Sequence, residues 1–208
     1  MRTALLLSGG IDSAALAYWK RPFLSITIDY GQRAALAEIR SAREICRILG
    51  IQHEVVRVDC GAIGAGCMSD GERPEKSFAP PTAEWWPFRN QLIITIAGAR
   101  AIMLGARRLM IGTIRTDTRH CDGTPMFLAR ISDLLKMQEG GLTVVAPAAH
   151  LTSPGLVIRS GIGPDILAWA HSCHTGNFAC GTCPGCLKHR QVWAQVASRK
   201  SGWFTDRH

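Results

Sequence analysis

The chain has 208 residues, of which 47% are hydrophobic and 19% charged, a composition typical of a folded domain with at most a small appendage. No apolar run approaches the roughly 18 residues that would cross a bilayer. The N-terminal run Ala4–Leu7 is too short for the core of a signal peptide, so we expect neither a membrane protein nor an exported one. The net charge of +8 indicates an anionic partner without choosing among nucleic acid, nucleotide and acidic metabolite.

The first half of the chain alternates strand-like and helix-like segments. Short apolar runs predict strands at Thr3–Leu7, Leu24–Ile28 and Glu54–Val58. Between them, helices are predicted at Asp12–Trp19 and at Ala34–Leu49, which carries an apolar stripe at helical spacing. This alternation predicts an α/β fold with a parallel sheet and helices on both faces.

The second half continues the pattern after one long irregular segment. Cys60–Trp86 has no clear period and is too long for an ordinary connection, so we predict a functional loop or lid there. A helix is predicted next at Leu92–Leu104, then a strand at Arg108–Ile111 and a polar loop at Thr113–Gly123. A helix follows at Phe127–Met137 and a strand at Leu142–Ala146. The chain beyond Pro147 is expected to be irregular up to a last helix at Leu187–Val196. We expect a main α/β domain at residues 1–170 and a small C-terminal segment at residues 171–208.

A glycine-rich loop follows the first predicted strand and carries the strongest chemical signal. It consists of Leu7, Ser8, Gly9, Gly10, Ile11, Asp12 and Ser13. The glycines allow a tight turn, and the helix that begins next offers free N–H groups and the positive end of its dipole. These groups predict a cradle for an anion, most naturally pyrophosphate, although a tight turn capped by Asp12 is the simpler alternative. The loop lacks the lysine of a Walker A motif and resembles the pyrophosphate loop of the PP-loop ATP pyrophosphatases, which have an adenine nucleotide alpha hydrolase-like fold.

Four of the eight cysteines are close together near the C-terminus, at Cys173, Cys180, Cys183 and Cys186. Adjacent CxxC pairs suit chelation better than cross-linking, so we expect reduced thiols, a cytoplasmic protein and a metal site. Four thiolates predict a closed, structural zinc site, with an iron–sulfur cluster or unligated cysteines as the alternatives. The neighbouring histidines are expected to lie beside the site without binding the metal: His171, His174 and His189.

Half of the excess positive charge lies beyond Leu187, where the basic residues outnumber Asp206: Lys188, Arg190, Arg199, Lys200 and Arg207. A solvated helix and tail is the simpler interpretation, and a nucleic-acid-binding tail is the alternative.

Three further segments narrow the resemblance from the PP-loop enzymes in general to one family. Asp29-Tyr30-Gly31-Gln32-Arg33 follows the second strand, Phe88-Arg89-Asn90 precedes a helix, and Asp117 lies in the loop after the fourth strand. Together with the glycine loop and the four cysteines, these residues are similar to those of the QueC family, the 7-cyano-7-deazaguanine synthases. The similarity runs from about Met1 to Val192. A helix start capped by Asn90 would by itself account for the Arg-Asn pair.

The resemblance implies an ATP-dependent carbon–nitrogen ligase of queuosine biosynthesis. ATP would activate the carboxylate of 7-carboxy-7-deazaguanine, ammonia would displace AMP to give an amide, and a second activation would give the nitrile. The loop residues would hold pyrophosphate with Mg²⁺, and Asp29 and Tyr30 would lie near the nucleotide. The substrate-binding candidates are Gln32, Arg89, Asn90 and Asp117. The catalytic candidates are Asp12, Ser13 and Asp117, and the four C-terminal cysteines would bind structural zinc.

Two departures from the family pattern bear on the reaction. Ser153 stands where the family carries a lysine that opens a helix, and a cation there can stabilise charge at the adenylated centre. Met126 stands where an acidic residue is usual. If the nitrile forms normally, another cation is predicted to supply the missing charge, from among Arg115, Arg119 and Arg159.

Two alternative functions follow. A divergent ligase would adenylate the carboxylate once and join it to another amine. A PP-loop enzyme that modifies tRNA would use Cys121 to carry sulfur, but the chain shows no separate RNA-recognition domain. We therefore expect small-molecule partners, no membrane and no nucleic acid. The sequence does not determine the oligomeric state and is compatible with a homodimer.

Overall fold

The computed structural model describes residues 1–71, 82–117 and 120–199. Its strands are β1 to β5 in chain order: Thr3–Leu6, Leu24–Asp29, Gln52–Arg57, Arg108–Met110 and Thr143–Val145. Its α-helices are α1 to α7: Ile11–Lys20, Ala35–Leu49, Arg89–Met103, Pro125–Lys136, Ser153–Ser160, Pro164–Leu167 and Pro184–Arg199. Short 3₁₀ turns lie at Gly61–Ile63, Gly66–Met68 and Cys121–Gly123.

The described strands form one parallel sheet in the order β3-β2-β1-β4-β5, which confirms the predicted fold class. The central strand β1 is covered on both faces because its side chains alternate. Leu5 and Leu7 pack with α1, α2, α5 and α7, whereas Ala4 packs with α3 and α4 on the opposite face. The apolar runs at the first two strands therefore correspond to strands buried on both faces, whereas the edge strand β3 is only partly buried.

The order of the strands reverses beside β1, because β2 and β4 flank it and lead the chain in opposite directions along the sheet. A crevice opens at the carboxyl ends of the strands at such a point, and ligands of open α/β sheets bind there. The loop that follows β1 contains the glycine-rich segment, and the loop that follows β4 contains Asp117. The topology thus brings together two segments that the sequence separates widely.

One prediction about the second half was wrong. The chain beyond Pro147 was expected to be irregular, but it forms α5 and α6 before the cysteine segment. Thr152 is the N-cap of α5, and its Oγ1 accepts a hydrogen bond from the Gly155 N–H at 3.2 Å. Pro154 lies in the first turn, where a proline costs no intrahelical hydrogen bond. The Thr-Ser-Pro-Gly run is therefore a helix start and not a break.

The predicted division at residues 170 and 171 stays a prediction. Val192 and Val196 of α7 are buried in the same apolar cluster as the residues of α1 and α5. The helix that follows the cysteines therefore contributes to the main core. The lid hypothesis for Cys60–Trp86 also stays a prediction, and residues 72–81 of that segment lie outside the described residues.

Across the described ranges, no helix combines the length and the apolar character that a bilayer crossing requires.

Candidate active site

A cavity of about 890 Å³ opens at the crevice beside β1. Small-molecule sites usually occupy about 300–1,000 Å³. One wall is the glycine loop with the first turn of α1, and another comes from the starts of α5 and α7. The remaining wall comes from β2, the start of α3 and the loop that follows β4.

The glycine loop is fixed from behind by backbone contacts. Gly9 has φ +75°, and its carbonyl accepts hydrogen bonds from Ser41 Oγ at 2.8 Å and from the His171 N–H at 2.9 Å. A Cβ on Gly9 would lie 2.7 Å from the carbonyl oxygen of Glu38. Glycine is therefore required both for the backbone conformation and for the close approach of the loop to α2.

The front of the loop presents donors to the cavity. Gly10 is the N-cap of α1 in an extended conformation, and no side chain caps the helix. The first N–H groups of the helix thus have no intrahelical partner and form the positive end of its dipole. Ser8 Oγ and Ser13 Oγ lie 3.1 Å apart, and Ser13 Oγ donates to the Gly10 carbonyl at 2.9 Å. This arrangement can bind an anion, and it excludes the interpretation in which Asp12 serves as the helix cap.

Asp12 lies in the first turn of α1 and forms the charged centre of the cavity. Its Oδ2 lies 2.8 Å from Nζ of Lys188, which belongs to α7. The same Nζ lies 3.5 Å from Oδ1 of Asp117, whose Oδ2 accepts from the Ile114 N–H at 3.1 Å. Burial by itself disfavours a charged ammonium, but the two carboxylates outweigh it and raise the pKa of Lys188. Lys188 is therefore a cation in the cavity.

The opposite end of the cavity is more apolar. Tyr30 lines this end, and the buried Trp86, which does not line the cavity, packs edge to face against it with the ring centroids 4.9 Å apart. Burial raises the pKa of Tyr30, so its hydroxyl stays neutral. Arg89 and the buried Glu84 also line the cavity. The walls could contact a flat ring, and the charged groups could bind its polar edge.

Glu38 of α2 is a further carboxyl group at the wall. Burial raises its pKa to about 7, although the hydrogen bond from Gln32 and the charge of Arg89 act in the opposite direction. Gln32 Nε2 donates to Glu38 Oε2 at 2.8 Å and to the Ile28 carbonyl at 3.2 Å. Gln32 Oε1 accepts from the Tyr30 N–H at 2.9 Å. Gln32 thereby positions both Tyr30 and Glu38.

The four C-terminal cysteines converge at the start of α7. The Sγ atoms of Cys173, Cys180, Cys183 and Cys186 all lie within 4.8 Å of one another, and all four thiols are free. The Cys180–Cys186 and Cys173–Cys183 sulfur pairs are each 4.0 Å apart, about twice the length of a disulfide bond. The His174 N–H donates to Cys183 Sγ, while the His174 ring is not part of the cluster. The geometry indicates a metal site of four thiolates.

Comparison with known protein families identifies the family of this chain. A family model described as Queuosine biosynthesis protein QueC matches residues 2–197. The chain belongs to the QueC family. The 7-cyano-7-deazaguanine synthase of Desulforudis audaxviator is 34% identical over 90% of this chain and 94% of its own length. That of Methanococcus maripaludis strain C7 is 28% identical over 94% of this chain and 95% of its own length.

A solved structure shares the fold of this QueC chain. The U34-tRNA thiolase NcsA from Methanococcus maripaludis, with its 4Fe–4S cluster, aligns with a TM-score of 0.54 at 16% identity. The alignment covers 97% of this chain and 67% of the thiolase. At this identity the likeness shows the fold alone.

Most of the site residues predicted for this QueC chain line the cavity: Leu7, Ser8, Gly10, Ile11, Asp12, Ser13, Tyr30, Arg89, Asn90 and Asp117. Three do not, namely Gly9, Asp29 and Gln32. Gly9 and Gln32 support the wall from behind. Asp29 Oδ2 faces Arg57 of β3 at 3.7 Å, so that carboxylate is directed along the sheet.

Asn90 has a different role from helix capping. The N-cap of α3 is Phe88, and the Asn90 side chain donates to the carbonyl of Asp122 at 3.0 Å and to its Oδ1 at 3.3 Å. The Asn90 N–H donates to Asp122 Oδ2 at 3.0 Å. Asn90 therefore ties the start of α3 to the loop that follows β4, and the two form one wall.

Sequence reasoning missed three charged groups of the site, namely Lys188, Glu84 and Glu38. Lys188 was grouped with the basic tail, and Glu84 with the irregular segment before Trp86. The pattern does hold one signal for Lys188. It lies two residues after Cys186, and a metal cluster at the start of a helix fixes the direction of the side chains that follow.

Proposed function

We propose that this QueC chain is a 7-cyano-7-deazaguanine synthase that forms AMP and pyrophosphate from ATP. The observation that carries the proposal is the family match across residues 2–197, with relatives of that name aligned over nearly the whole of both chains. The cavity supports it because one wall is a lysine-free anion cradle and another presents Tyr30 among aliphatic side chains. A cradle of this kind suits a leaving pyrophosphate, whereas the Walker A loop of enzymes that act on the γ-phosphate carries a lysine.

The residues divide the reaction between the two ends of the cavity. An oxygen of the 7-carboxylate attacks the α-phosphorus of ATP, and the bond to the bridging oxygen of the β-phosphate breaks. The N–H groups at the start of α1, with Ser8 and Ser13, hold the departing pyrophosphate. Ammonia then attacks the activated carbonyl carbon, and AMP leaves with the former carboxylate oxygen. Adenylation of the amide oxygen and loss of AMP and a proton would give the nitrile.

The Asp12 carboxylate fits the role of an Mg²⁺ ligand. Its Oδ1 is buried and has no hydrogen-bond partner among the described residues. Mg²⁺ is usually bound by one or two carboxylates together with substrate phosphates, and it would neutralise charge on the pyrophosphate. Asp117 is the second carboxylate within reach of the same centre.

The apolar end of the cavity suits a deazaguanine. A guanine-like edge presents N–H donors and one carbonyl acceptor. Glu84 provides a carboxylate for the donors, and Arg89 provides a guanidinium for the carbonyl or the carboxylate. The Tyr30 ring and the side chains of Ile93 and Ile94 provide the apolar surroundings of the base.

We assign zinc to the four cysteines. A tetrahedral ion with metal–sulfur distances of about 2.3 Å holds its sulfur atoms about 3.8 Å apart, close to the 4.0 Å pairs of this cluster. A four-iron cluster places each thiolate on a different iron and spreads the sulfur atoms further. A closed site of four thiolates has a structural role.

One observation favours the single-adenylation ligase as the second candidate. Ser153 is buried at the start of α5, and its Oγ has no partner in the described part of the chain. A neutral serine cannot stabilise charge at a second adenylated centre as a lysine can.

The decisive experiment supplies ATP, 7-carboxy-7-deazaguanine and ammonia, and identifies the products by mass spectrometry. AMP, pyrophosphate and the nitrile are expected, and accumulation of the amide or of another amine adduct would favour the second candidate. ADP and phosphate would contradict both. Asp12→Ala should remove most turnover, since it alters the metal end and the helix start together, whereas the matched Ser13→Ala should have a smaller effect.

A further inference from the structure

Lys188 is a charged residue of the cavity lining that has no role in the reaction described above. It lies in the first turns of α7, and its half-buried side chain reaches across the cavity to the glycine loop. Its Nζ joins Asp12, from the start of α1, to Asp117, from the loop after β4. Three segments that are distant in sequence thus meet at one ammonium group.

The electrostatics of the cavity make this position significant. The described lining contains the carboxyl groups of Asp12, Asp117, Glu38 and Glu84. A polyphosphate that enters such a cavity is repelled unless cations compensate. The loop from Leu7 to Ser13 holds no lysine or arginine, so any side-chain cation that acts there together with Mg²⁺ comes from another part of the chain.

The other candidate cations are placed elsewhere. Arg159 lies over the ring of Trp19, with its guanidinium carbon 5.0 Å from the centroid. Arg115 is exposed and does not line the cavity, and Arg119 lies outside the described residues. Arg89 does line the cavity, but its Nη1 contacts Met68 Sδ at 3.2 Å, at the apolar end. Among the lysine and arginine residues in the described ranges, Lys188 is therefore the one that lies beside the pyrophosphate cradle.

We propose that Lys188 is a catalytic cation that binds the phosphates of ATP and stabilises the charge that develops as pyrophosphate leaves. The proposal rests on the proposed function, because it assumes cleavage between the α- and β-phosphates. In the free protein Lys188 neutralises Asp12 and Asp117. Asp12 and Asp117 would hold Mg²⁺ in the ATP complex, and the Lys188 ammonium would then be available to the phosphate oxygens. It donates hydrogen bonds there and keeps its protons, while the bond to the bridging oxygen breaks and pyrophosphate takes the electron pair.

The same assignment provides the charge that Ser153 lacks. Helices α5 and α7 pack against one another, and Ser153 and Lys188 line the same cavity. A cation that extends from α7 can therefore act on the centre beside the start of α5. Cys186 lies two residues before Lys188, so a metal on the cysteine cluster would also fix the turn that carries this cation.

The test compares Lys188→Met with Arg190→Met, a matched loss of one positive charge at an exposed position of the same helix. Five quantities are measured for each variant: the bound zinc, the melting temperature, the Kd for a non-hydrolysable ATP analogue in the presence of Mg²⁺, and kcat and KM for AMP formation. We expect Lys188→Met to lower kcat by about 10²–10³-fold with zinc and melting temperature retained. Lys188→Arg should recover part of the loss, and Arg190→Met should behave as the wild type.

A kcat and an analogue Kd for Lys188→Met within threefold of those of Arg190→Met would overturn the proposal. If Lys188→Met loses its metal or does not fold, Lys188→Gln replaces it in the same comparison. Failure of the proposed function gives a different result. In that case the wild type makes no AMP from the deazaguanine carboxylate, and the analogue Kd alone decides whether Lys188 binds phosphates.

Discussion

Replacing Gly9 by alanine tests the reason given for the glycine loop. The change adds a single methyl group at a residue with φ +75°. A side chain in the left-handed region costs about 1–2 kcal/mol. The new Cβ would also lie 2.7 Å from the Glu38 carbonyl oxygen and 2.9 Å from Ser41 Cβ, closer than real Cβ contacts. Overpacking of this kind costs a further 1–3 kcal/mol or so.

Gly50→Ala is the matched control. Gly50 has φ +65°, and no atom lies within 4 Å of the position that its Cβ would take. It therefore reports the conformational cost alone, about 1–2 kcal/mol. Gly9→Ala should reduce the free energy of unfolding by about 2–5 kcal/mol, the sum of both effects.

Urea unfolding followed by circular dichroism gives both free energies, and AMP formation gives the activity. Gly9→Ala should also lower kcat strongly, because separating the loop from α2 turns its N–H groups away from the phosphates. Gly50→Ala should keep its activity, since Gly50 ends α2 away from the cavity. Equal destabilisation by the two substitutions would refute the close-approach argument.

The remaining predictions concern ionisation and metal. Burial raises the pKa of Glu38 to about 7 from 4.5, so its contribution to stability is full below about pH 4.5 and is lost as the pH rises through 7. Glu38→Gln keeps an acceptor for the Gln32 amide and removes the charge. Urea unfolding should show that this variant is more stable than the wild type by about 1–2 kcal/mol at pH 8, a value that the open cavity limits. At pH 5 the difference should be much smaller. A constant difference between the two pH values would contradict this. Elemental analysis should find about one zinc per chain, and Cys183→Ser should lose the metal and melt earlier, whereas the exposed Cys121→Ser should keep both. Iron with acid-labile sulfide would exclude the zinc assignment.

The sequence by itself determined the features that depend on residues close together in the chain. The glycine loop, with an apolar strand before it and a helix after it, forms as predicted because a turn and a helix start need only local residues. The CxxC spacing likewise brings four sulfur atoms together over a short segment. The alternation of strands and helices predicted the parallel sheet, since each buried strand carries its own apolar run.

Other features depended on local rules that were applied incompletely. Helix α5 begins at a Thr N-cap with proline in its first turn, a pattern that permits a helix, yet the chain beyond Pro147 was predicted to be irregular. Asn90 suggested a cap, whereas it ties α3 to Asp122. The residues next to a polar side chain in the sequence do not determine which group it contacts in the fold.

Only the tertiary structure decided which charges share the cavity. Asp12 and Lys188 lie near opposite ends of the sequence, and their contact depends on α7 packing Val192 and Val196 into the core beside α1. Gln32 and Glu38 pair because the turn after β2 meets the start of α2. The sequence shows which charged residues the chain contains. The energy of each charge depends on its burial and its neighbours, which the folded chain alone defines.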